Sequence, residues 1–125
     1  GIGKKIAEKF LREKAIVILA DLDKSKSAAT AEELSRHGGK AVPLAMDVSQ
    51  ESQVDQGIEE ITHQVGPIDV LVSNAGIQHI DPIDKLSLSD WKKMLAVHLD
   101  GAFLTTRACL RSMYKNKRGG SIIYI

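Results

Sequence analysis

Short apolar runs alternate along the chain with longer segments whose apolar residues recur every three or four positions. The short runs are typical of buried strands in a parallel sheet, and they cover residues 15–20, 40–46, 68–73 and 121–125. The periodic segments predict helices over 2–10, 25–36, 49–65 and 87–116. The resulting order of helix and strand, repeated four times, predicts an α/β fold with a doubly wound parallel sheet and right-handed crossovers.

The last predicted helix, 87–116, is the longest element and has apolar residues on two faces. Ser87 and Asp90 have the spacing of a capping box at its start. Leu99 and Phe103 lie on one face, and Leu104 with Ala108 lies on the other. Because a helix on its own sheet buries only one apolar stripe, the sequence predicts a homo-oligomer, a dimer or tetramer, with the face of Leu104 and Ala108 against a partner helix.

Composition and charge limit the class of protein. The chain has 125 residues, 43% of them hydrophobic and 26% charged, with a formal net charge of +1. These values are typical of part of one globular domain with a small-molecule partner, and they show no bias towards nucleic acid or membrane. A single cysteine, Cys109, and the lack of a signal-like or long apolar segment predict a cytoplasmic protein. No metal site is predicted.

Polar or glycine residues stand where three elements meet the carboxyl edge of the predicted sheet. Gly1-Ile2-Gly3 begins a helix, whose free N–H groups and partial positive charge suit a pyrophosphate. Asp21 ends the next strand, where a carboxylate can accept hydrogen bonds from both ribose hydroxyls of an adenosine. Asp47 ends the following strand and could bind the adenine amine. Ordinary capping or loop roles remain the alternative for both aspartates.

Asn74-Ala75-Gly76 follows the strand 68–73, at the edge where open α/β sheets bind their ligands. The lack of a side chain at Gly76 would let a flat ring lie against bare backbone. A simple turn leaving the strand is the alternative.

Taken together, Gly1-Ile2-Gly3, Asp21, Asp47-Val48 and Asn74-Ala75-Gly76 resemble the classical short-chain dehydrogenase/reductase family. The resemblance covers the whole chain and implies a Rossmann-like fold that binds NAD through these residues. Asp21 would repel the 2′-phosphate of NADP, and Leu22 offers that phosphate no cation. In this family a first strand and the start of the glycine motif precede Gly1, and the catalytic Ser and Tyr-x-x-x-Lys follow Ile125. The resemblance therefore implies a partial chain that is inactive alone.

Within the family, residues 74–79 with Pro82, and the string 98–106, resemble the D-3-hydroxybutyrate dehydrogenases. By that resemblance Gln78 helps to hold a substrate carboxylate, although it could also be a polar loop residue. His98 stands where most members have an Asn in the long helix, at a local kink that frees a main-chain carbonyl for a water linked to the catalytic lysine. His98 is accordingly a candidate catalytic residue, with an ordinary polar helix residue as the alternative.

Three functions are compatible with these residues. The first is NAD-dependent oxidation of D-3-hydroxybutyrate to acetoacetate. The second is the same chemistry on another ketone, sugar or 3-oxoacyl thioester, since a fold does not determine its substrate. The third is a non-catalytic nucleotide-binding scaffold, which would keep Asp21 and Asn74 but lack the Ser and Tyr-x-x-x-Lys.

Overall fold

The computed structural model describes residues 1–125 and confirms the alternation of helices and strands. The helices are α1 (Ile2–Arg12), α2 (Lys24–Ser35), α3 (Glu51–Gln64), α4 (Leu88–Leu95) and α5 (Gly101–Asn116), with a π-helical segment, Ala96–Asp100, between the last two. The strands are β1 (Ile16–Asp21), β2 (Lys40–Ala45), β3 (Val70–Ser73) and β4 (Ser121–Tyr124).

The strands form two parallel pairs. In the first sheet β1 pairs with β2, from Ile16 opposite Lys40 to Asp21 opposite Ala45. In the second sheet β3 pairs with β4, from Val70 opposite Ser121 to Ser73 opposite Tyr124. Contacts divide the chain into two units, residues 1–47 and 48–125, each of which holds one of these sheets. Parallel pairing with helical crossovers confirms the predicted α/β class.

In the first unit, α1 packs against β1, and α2 packs against both strands. The core is formed by small and aliphatic side chains, namely Ala7, Ala31, Leu34, Leu44 and Met46. Lys4 on α1 forms an ion pair with Glu33 on α2 at 2.7 Å, and this bond holds the pKa of Glu33 below its usual value. This ion pair joins the two helices on their solvent side.

In the second unit, α5 packs against α3 and β3. Its core consists of Val54, Ile61, Leu104, Ala108, Cys109 and Met113. Burial raises the pKa of the Cys109 thiol to about 11, so this cysteine remains a protonated core residue at neutral pH. At the surface Arg107 pairs with Glu51 at 2.5 Å, which joins α5 to the first turn of α3.

Several predicted boundaries differ from the structure because capping side chains and tertiary contacts decide them. Asp23 accepts a hydrogen bond from the Lys26 N–H at 3.0 Å, so α2 begins before Ser25. The cap position of α3 is Gln50 and not Ser49. β3 begins at Val70, where its pairing with β4 begins, although the apolar run begins at Ile68.

The predicted helix over 87–116 is confirmed as one helical stretch from Leu88 to Asn116, and the kink that the family resemblance implies at His98 coincides with the π segment in its middle. Ser87 does cap α4, since its Oγ accepts from the Asp90 N–H at 3.0 Å. The helix then widens into the π segment before it continues as α5. A π segment adds a residue to one turn, so it changes which side chains share a face on either side of it.

The predicted assignment of the two faces of this helix is wrong. Leu104 and Ala108 are only 8% and 5% exposed, so the chain itself buries the face that was expected to meet a partner helix. Leu99 and Phe103 are instead 61% and 59% exposed. The exposed Leu99 and Phe103 are therefore better placed than Leu104 and Ala108 to contact a second copy.

Candidate functional site

The first part of the candidate site is the start of α1. Gly1 occupies the cap position and supplies no side-chain cap, so the N–H groups of the first turn have no side-chain acceptor there. No atom of the chain lies within 4 Å of the position that a Cβ on Gly1 would occupy. Helix N-terminal N–H groups without a side-chain acceptor are suited to bind an anion such as a pyrophosphate.

Asp21 lies in the same unit, at the carboxyl end of β1. Its Oδ1 accepts a hydrogen bond from the Asp23 N–H at 3.0 Å, which orients the carboxylate. Its main-chain carbonyl accepts from the Met46 N–H at 3.0 Å, so Asp47 follows directly at the neighbouring strand end. Leu22 is 74% exposed and presents an apolar side chain beside Asp21.

These features occur at one end of the first unit. α1 is joined to β1 by three residues, 13–15, and packs against it, so the two elements run in opposite directions. The start of α1 is therefore at the end of the unit where β1 and β2 finish. The structure thus brings Gly1, Ile2 and Gly3 to the same end as Asp21 and Asp47.

In the second unit Val48 packs against the start of α5. A Cβ built on Gly101 would lie 2.8 Å from Cγ2 of Val48, a distance that real side chains do not adopt. Gly101 therefore permits the close approach of Val48, which is half-buried.

Asn74, Ala75 and Gly76 follow β3 at its carboxyl end, and all three are exposed. The carbonyl of Ser73 accepts from the Ile125 N–H at 3.1 Å, so the pairing of β3 with β4 continues to the point where Asn74 begins. This is the edge at which the sequence predicts a ring to be bound, and the backbone there is accessible.

His98 lies in the π segment and contacts the chain just after Asn74-Ala75-Gly76. Its Nε2 is 2.7 Å from the carbonyl oxygen of Ile77 and 3.2 Å from the amide nitrogen of the same residue. A Cβ on Gly76 would lie 2.7 Å from Cε1 of His98, so the ring packs directly on the glycine backbone. The two predicted site residues His98 and Gly76 are therefore in contact, through the imidazole ring of His98.

Sequence reasoning missed Ile77 as the partner of His98. The two residues are 21 positions apart, and the bonds involve the main chain of Ile77, so no property of its side chain signals them. The only signal in the sequence was that His98 is a polar residue within an otherwise largely apolar stretch of helix.

Gln78, the predicted substrate residue, is exposed and lies between Ile77 and His79. His79 pairs with Asp81 through Nε2 at 2.6 Å, and the same atom is 3.8 Å from Oδ2 of Asp90 on α4. The hydrogen bond from Ser87, followed by the charges of His79 and Lys93, holds the pKa of Asp90 below its usual value. Both flanks of Gln78 are thus held by contacts with other residues.

The structure contains no group of three or more His, Cys, Asp or Glu side chains placed to hold a metal ion. None of its helices combines the length and the apolar character needed to span a bilayer.

Comparison with known proteins gives consistent similarities. The model of the short chain dehydrogenase family matches residues 1–125. The chain is 39% identical over 126 residues to the 3-oxoacyl-[acyl-carrier-protein] reductase FabG of Aquifex aeolicus, covering 100% of the chain and 50% of that protein. It is 35% identical over 127 residues to glucose 1-dehydrogenase 2 of Bacillus subtilis, covering 100% of the chain and 49% of that protein.

Solved structures give the same result. A short-chain type dehydrogenase/reductase from Mycobacterium marinum superposes with a TM-score of 0.95 at 34% identity, covering 99% of this chain and 50% of the other. A gluconate 5-dehydrogenase from Burkholderia cenocepacia J2315, in complex with NADP and tartrate, has a TM-score of 0.93 at 35% identity. The match covers 99% of this chain and 48% of the other. The chain spans about half the length of the curated relatives it matches. Because the family model covers every residue and the fold agrees, this chain belongs to the short chain dehydrogenase family.

Proposed function

We propose that the protein containing this chain is an NAD-dependent oxidoreductase that interconverts a secondary alcohol and a ketone. The observation that carries this proposal is the carboxylate of Asp21 at the end of β1, held in place by the Asp23 N–H at 3.0 Å. An oriented carboxylate at this strand end is suited to accept hydrogen bonds from the two hydroxyls of an adenosine ribose. Family membership supports the class of reaction, because the matched relatives named above are all dehydrogenases or reductases by name.

The residues of the first unit fit a dinucleotide. The uncapped start of α1 would bind the pyrophosphate through backbone N–H groups, and Asp21 would hold the ribose. Asp47 would accept a hydrogen bond from the adenine amine. When bound, a nicotinamide dinucleotide supplies the hydride chemistry, which protein side chains cannot supply themselves. Among the residues of the second unit, we propose that Val48 contacts the adenine. Asn74, Ala75 and Gly76 are proposed to contact the nicotinamide.

NAD is proposed over NADP on electrostatic grounds. A 2′-phosphate about 4 Å from the Asp21 carboxylate would cost roughly 4 kcal/mol per unit charge at an effective dielectric constant near 20. Leu22 is 74% exposed beside it and supplies no compensating cation. The similar gluconate 5-dehydrogenase was solved in complex with NADP. The ratio of kcat/KM for NAD to that for NADP therefore tests the proposed preference of this protein for NAD.

For the substrate we propose a 3-hydroxy acid, with D-3-hydroxybutyrate and its ketone acetoacetate as the specific pair. Gln78 is exposed beyond the carboxyl end of β3, and its side-chain amide can donate a hydrogen bond to a carboxylate. His98 contributes by holding the backbone at Ile77, next to Gln78, through the 2.7 Å contact of its Nε2. We also propose that the protein is located in the cytoplasm and that it assembles as a homo-oligomer.

A neutral sugar or a 3-oxoacyl thioester is the second candidate substrate. It is favoured by the names of the relatives, which include a glucose dehydrogenase and a 3-oxoacyl reductase. Neither of these substrates offers a carboxylate to Gln78. A protein that binds NAD without turning over any alcohol would instead be the nucleotide-binding scaffold.

The test compares Gln78→Ala with the wild type in the full-length protein, on 3-hydroxybutyrate and on uncharged secondary alcohols. A hydrogen bond to a charged group contributes roughly 1.5–3 kcal/mol, so kcat/KM for the acid should fall by about ten- to a hundredfold. Uncharged alcohols should lose much less, and the Kd for NAD should hardly change. The control is Gln64→Ala on the surface of α3, where Gln64 bonds only its own helix, at Glu60. Equal losses on both substrate classes would reject the 3-hydroxy acid.

A further inference from the structure

His79 connects the segment after β3 to α4. Its Nε2 lies 2.6 Å from Oδ2 of Asp81 and 3.8 Å from Oδ2 of Asp90, which belongs to the first turn of α4. One ring therefore contacts a carboxylate on its own segment and another on a helix. This bridge joins a stretch without regular secondary structure to a capped helix start.

The helical side of this bridge is itself fixed. The Oγ of Ser87 accepts from the Asp90 N–H at 3.0 Å and donates to the Asp90 carboxylate at 2.5 Å. Lys93, one turn further along α4, lies 3.7 Å from the other carboxylate oxygen. These contacts hold the Asp90 side chain in one place, so it can act as a fixed point for His79.

The position of Gln78 depends on both of its neighbours. On one side the main chain of Ile77 bonds His98, which lies in the π segment. On the other side His79 reaches Asp90 at the opposite end of the same helical stretch. Two imidazole rings thus anchor the backbone immediately before and immediately after Gln78, while the Gln78 side chain remains exposed.

We propose that His79 is a positioning residue that sets the specificity of the enzyme for anionic substrates. It acts by holding the backbone of Gln78 against the start of α4, so that the amide of Gln78 is presented in a restricted range of positions. The inference rests on the proposed function, since Gln78 is the residue that would bind the substrate carboxylate. Restricting a binding group before the substrate arrives lowers the cost of ordering it on binding.

The test uses His79→Gln and His79→Lys in the full-length protein. Glutamine removes the imidazole between Asp81 and Asp90, and lysine places an ammonium donor there. His63→Gln is the matched control, because His63 is an exposed histidine 3.9 Å from a carboxylate, Glu59, one turn away on α3. Steady-state kinetics on 3-hydroxybutyrate and on a neutral alcohol are combined with the NMR order parameter of the Gln78 amide.

We expect His79→Gln to raise KM for 3-hydroxybutyrate about two- to fivefold with kcat nearly unchanged, as suits the loss of an exposed polar contact. KM for the neutral alcohol should not move, and His79→Lys should restore most of the loss. The order parameter of Gln78 should fall from a rigid value of about 0.85 towards 0.6 in His79→Gln only.

The two readouts separate the two proposals. An unchanged order parameter at Gln78, or a KM change no larger than that of His63→Gln, would overturn the role of His79. Equal effects of Gln78→Ala on charged and neutral substrates would instead reject the proposed substrate, whatever the order parameter shows.

Discussion

The Nε2 atom of His98 lies 2.7 Å from the carbonyl oxygen of Ile77 and 3.2 Å from the amide nitrogen of the same residue. One ring nitrogen cannot serve both groups, because it donates when protonated and accepts when it is not. The shorter distance favours donation from Nε2 to the carbonyl. An asparagine at this position carries its donor and its acceptor on separate atoms and could satisfy both groups at once.

We therefore predict different outcomes for two substitutions of His98. His98→Ala should lose the bond to Ile77 and lower the free energy of unfolding by about 0.5–1.5 kcal/mol, the usual net value of a hydrogen bond. His98→Asn should keep most of this stability. Urea unfolding followed by circular dichroism measures both, and equal losses would show that the ring contributes only packing.

Gly76→Ala should also destabilise the protein, through a steric conflict. The new Cβ would lie 2.7 Å from Cε1 of His98, so the ring must move and weaken its contact with Ile77. Overpacking of this kind costs about 1–3 kcal/mol. In a His98→Ala background most of the cost should disappear, and a double-mutant cycle in urea measures this coupling. Additive free energies would contradict the close packing of the ring on Gly76.

The two faces of α5 should respond differently to a negative charge. Leu104 is 8% exposed, so Leu104→Glu places a carboxylate in the core and should cost more than about 3 kcal/mol. Phe103 is 59% exposed, so Phe103→Glu should leave the fold intact. The main loss there is the contact of Arg107 with the Phe103 ring at 5.1 Å, worth about 0.5–1 kcal/mol.

The same two variants test association. If the exposed face of Leu99 and Phe103 contacts a second copy, Phe103→Glu should reduce the molar mass measured by size exclusion with light scattering. Leu104→Glu should instead show a lower thermal midpoint. A wild-type monomer, or an unchanged oligomer in Phe103→Glu, would exclude this face.

Acid should weaken the start of α4 through Asp90. Its pKa lies below the ordinary value of 3.8, chiefly because Ser87 donates to the ionised carboxylate. A lowered folded-state pKa means that the ionised group stabilises the fold above pH 3.8 and that this contribution is lost as the pH falls through the lower value. Asp90→Asn should therefore flatten the acid limb of stability against pH, measured by urea unfolding between about pH 2 and 6. An identical acid limb in the variant would contradict this assignment.

Cofactor choice should depend on Asp21 and Leu22. Asp21→Asn combined with Leu22→Arg removes the repelling charge and adds a cation for a 2′-phosphate. The ratio of kcat/KM for NADP to that for NAD should then rise by about ten- to a hundredfold in the full-length protein. Leu22→Ala alone serves as the control and should leave the ratio nearly constant. A wild-type preference for NADP would refute the assignment of NAD.

The order of the elements and the chemistry at the strand ends could be predicted from the sequence alone. Apolar runs of strand length and amphipathic helical periods are local properties, so β1 to β4 and the helices between them appear in the pattern directly. The carboxyl ends of parallel strands share one edge, which is why the sequence alone predicts Asp21 and Asp47 at neighbouring strand ends.

The tertiary structure decided the extent of the π segment Ala96–Asp100, the partner of His98 and the buried face of α5. Apolar periodicity continues through Ala96–Asp100, so only the family resemblance, and not the local pattern, pointed to a kink at His98. His98 and Ile77 meet only because the chain folds back over 21 residues, and the bond is to main-chain atoms that any residue type would offer. Leu104 and Leu99 are both leucines on an apolar helix, and only packing within the second unit determines that the first is buried and the second exposed.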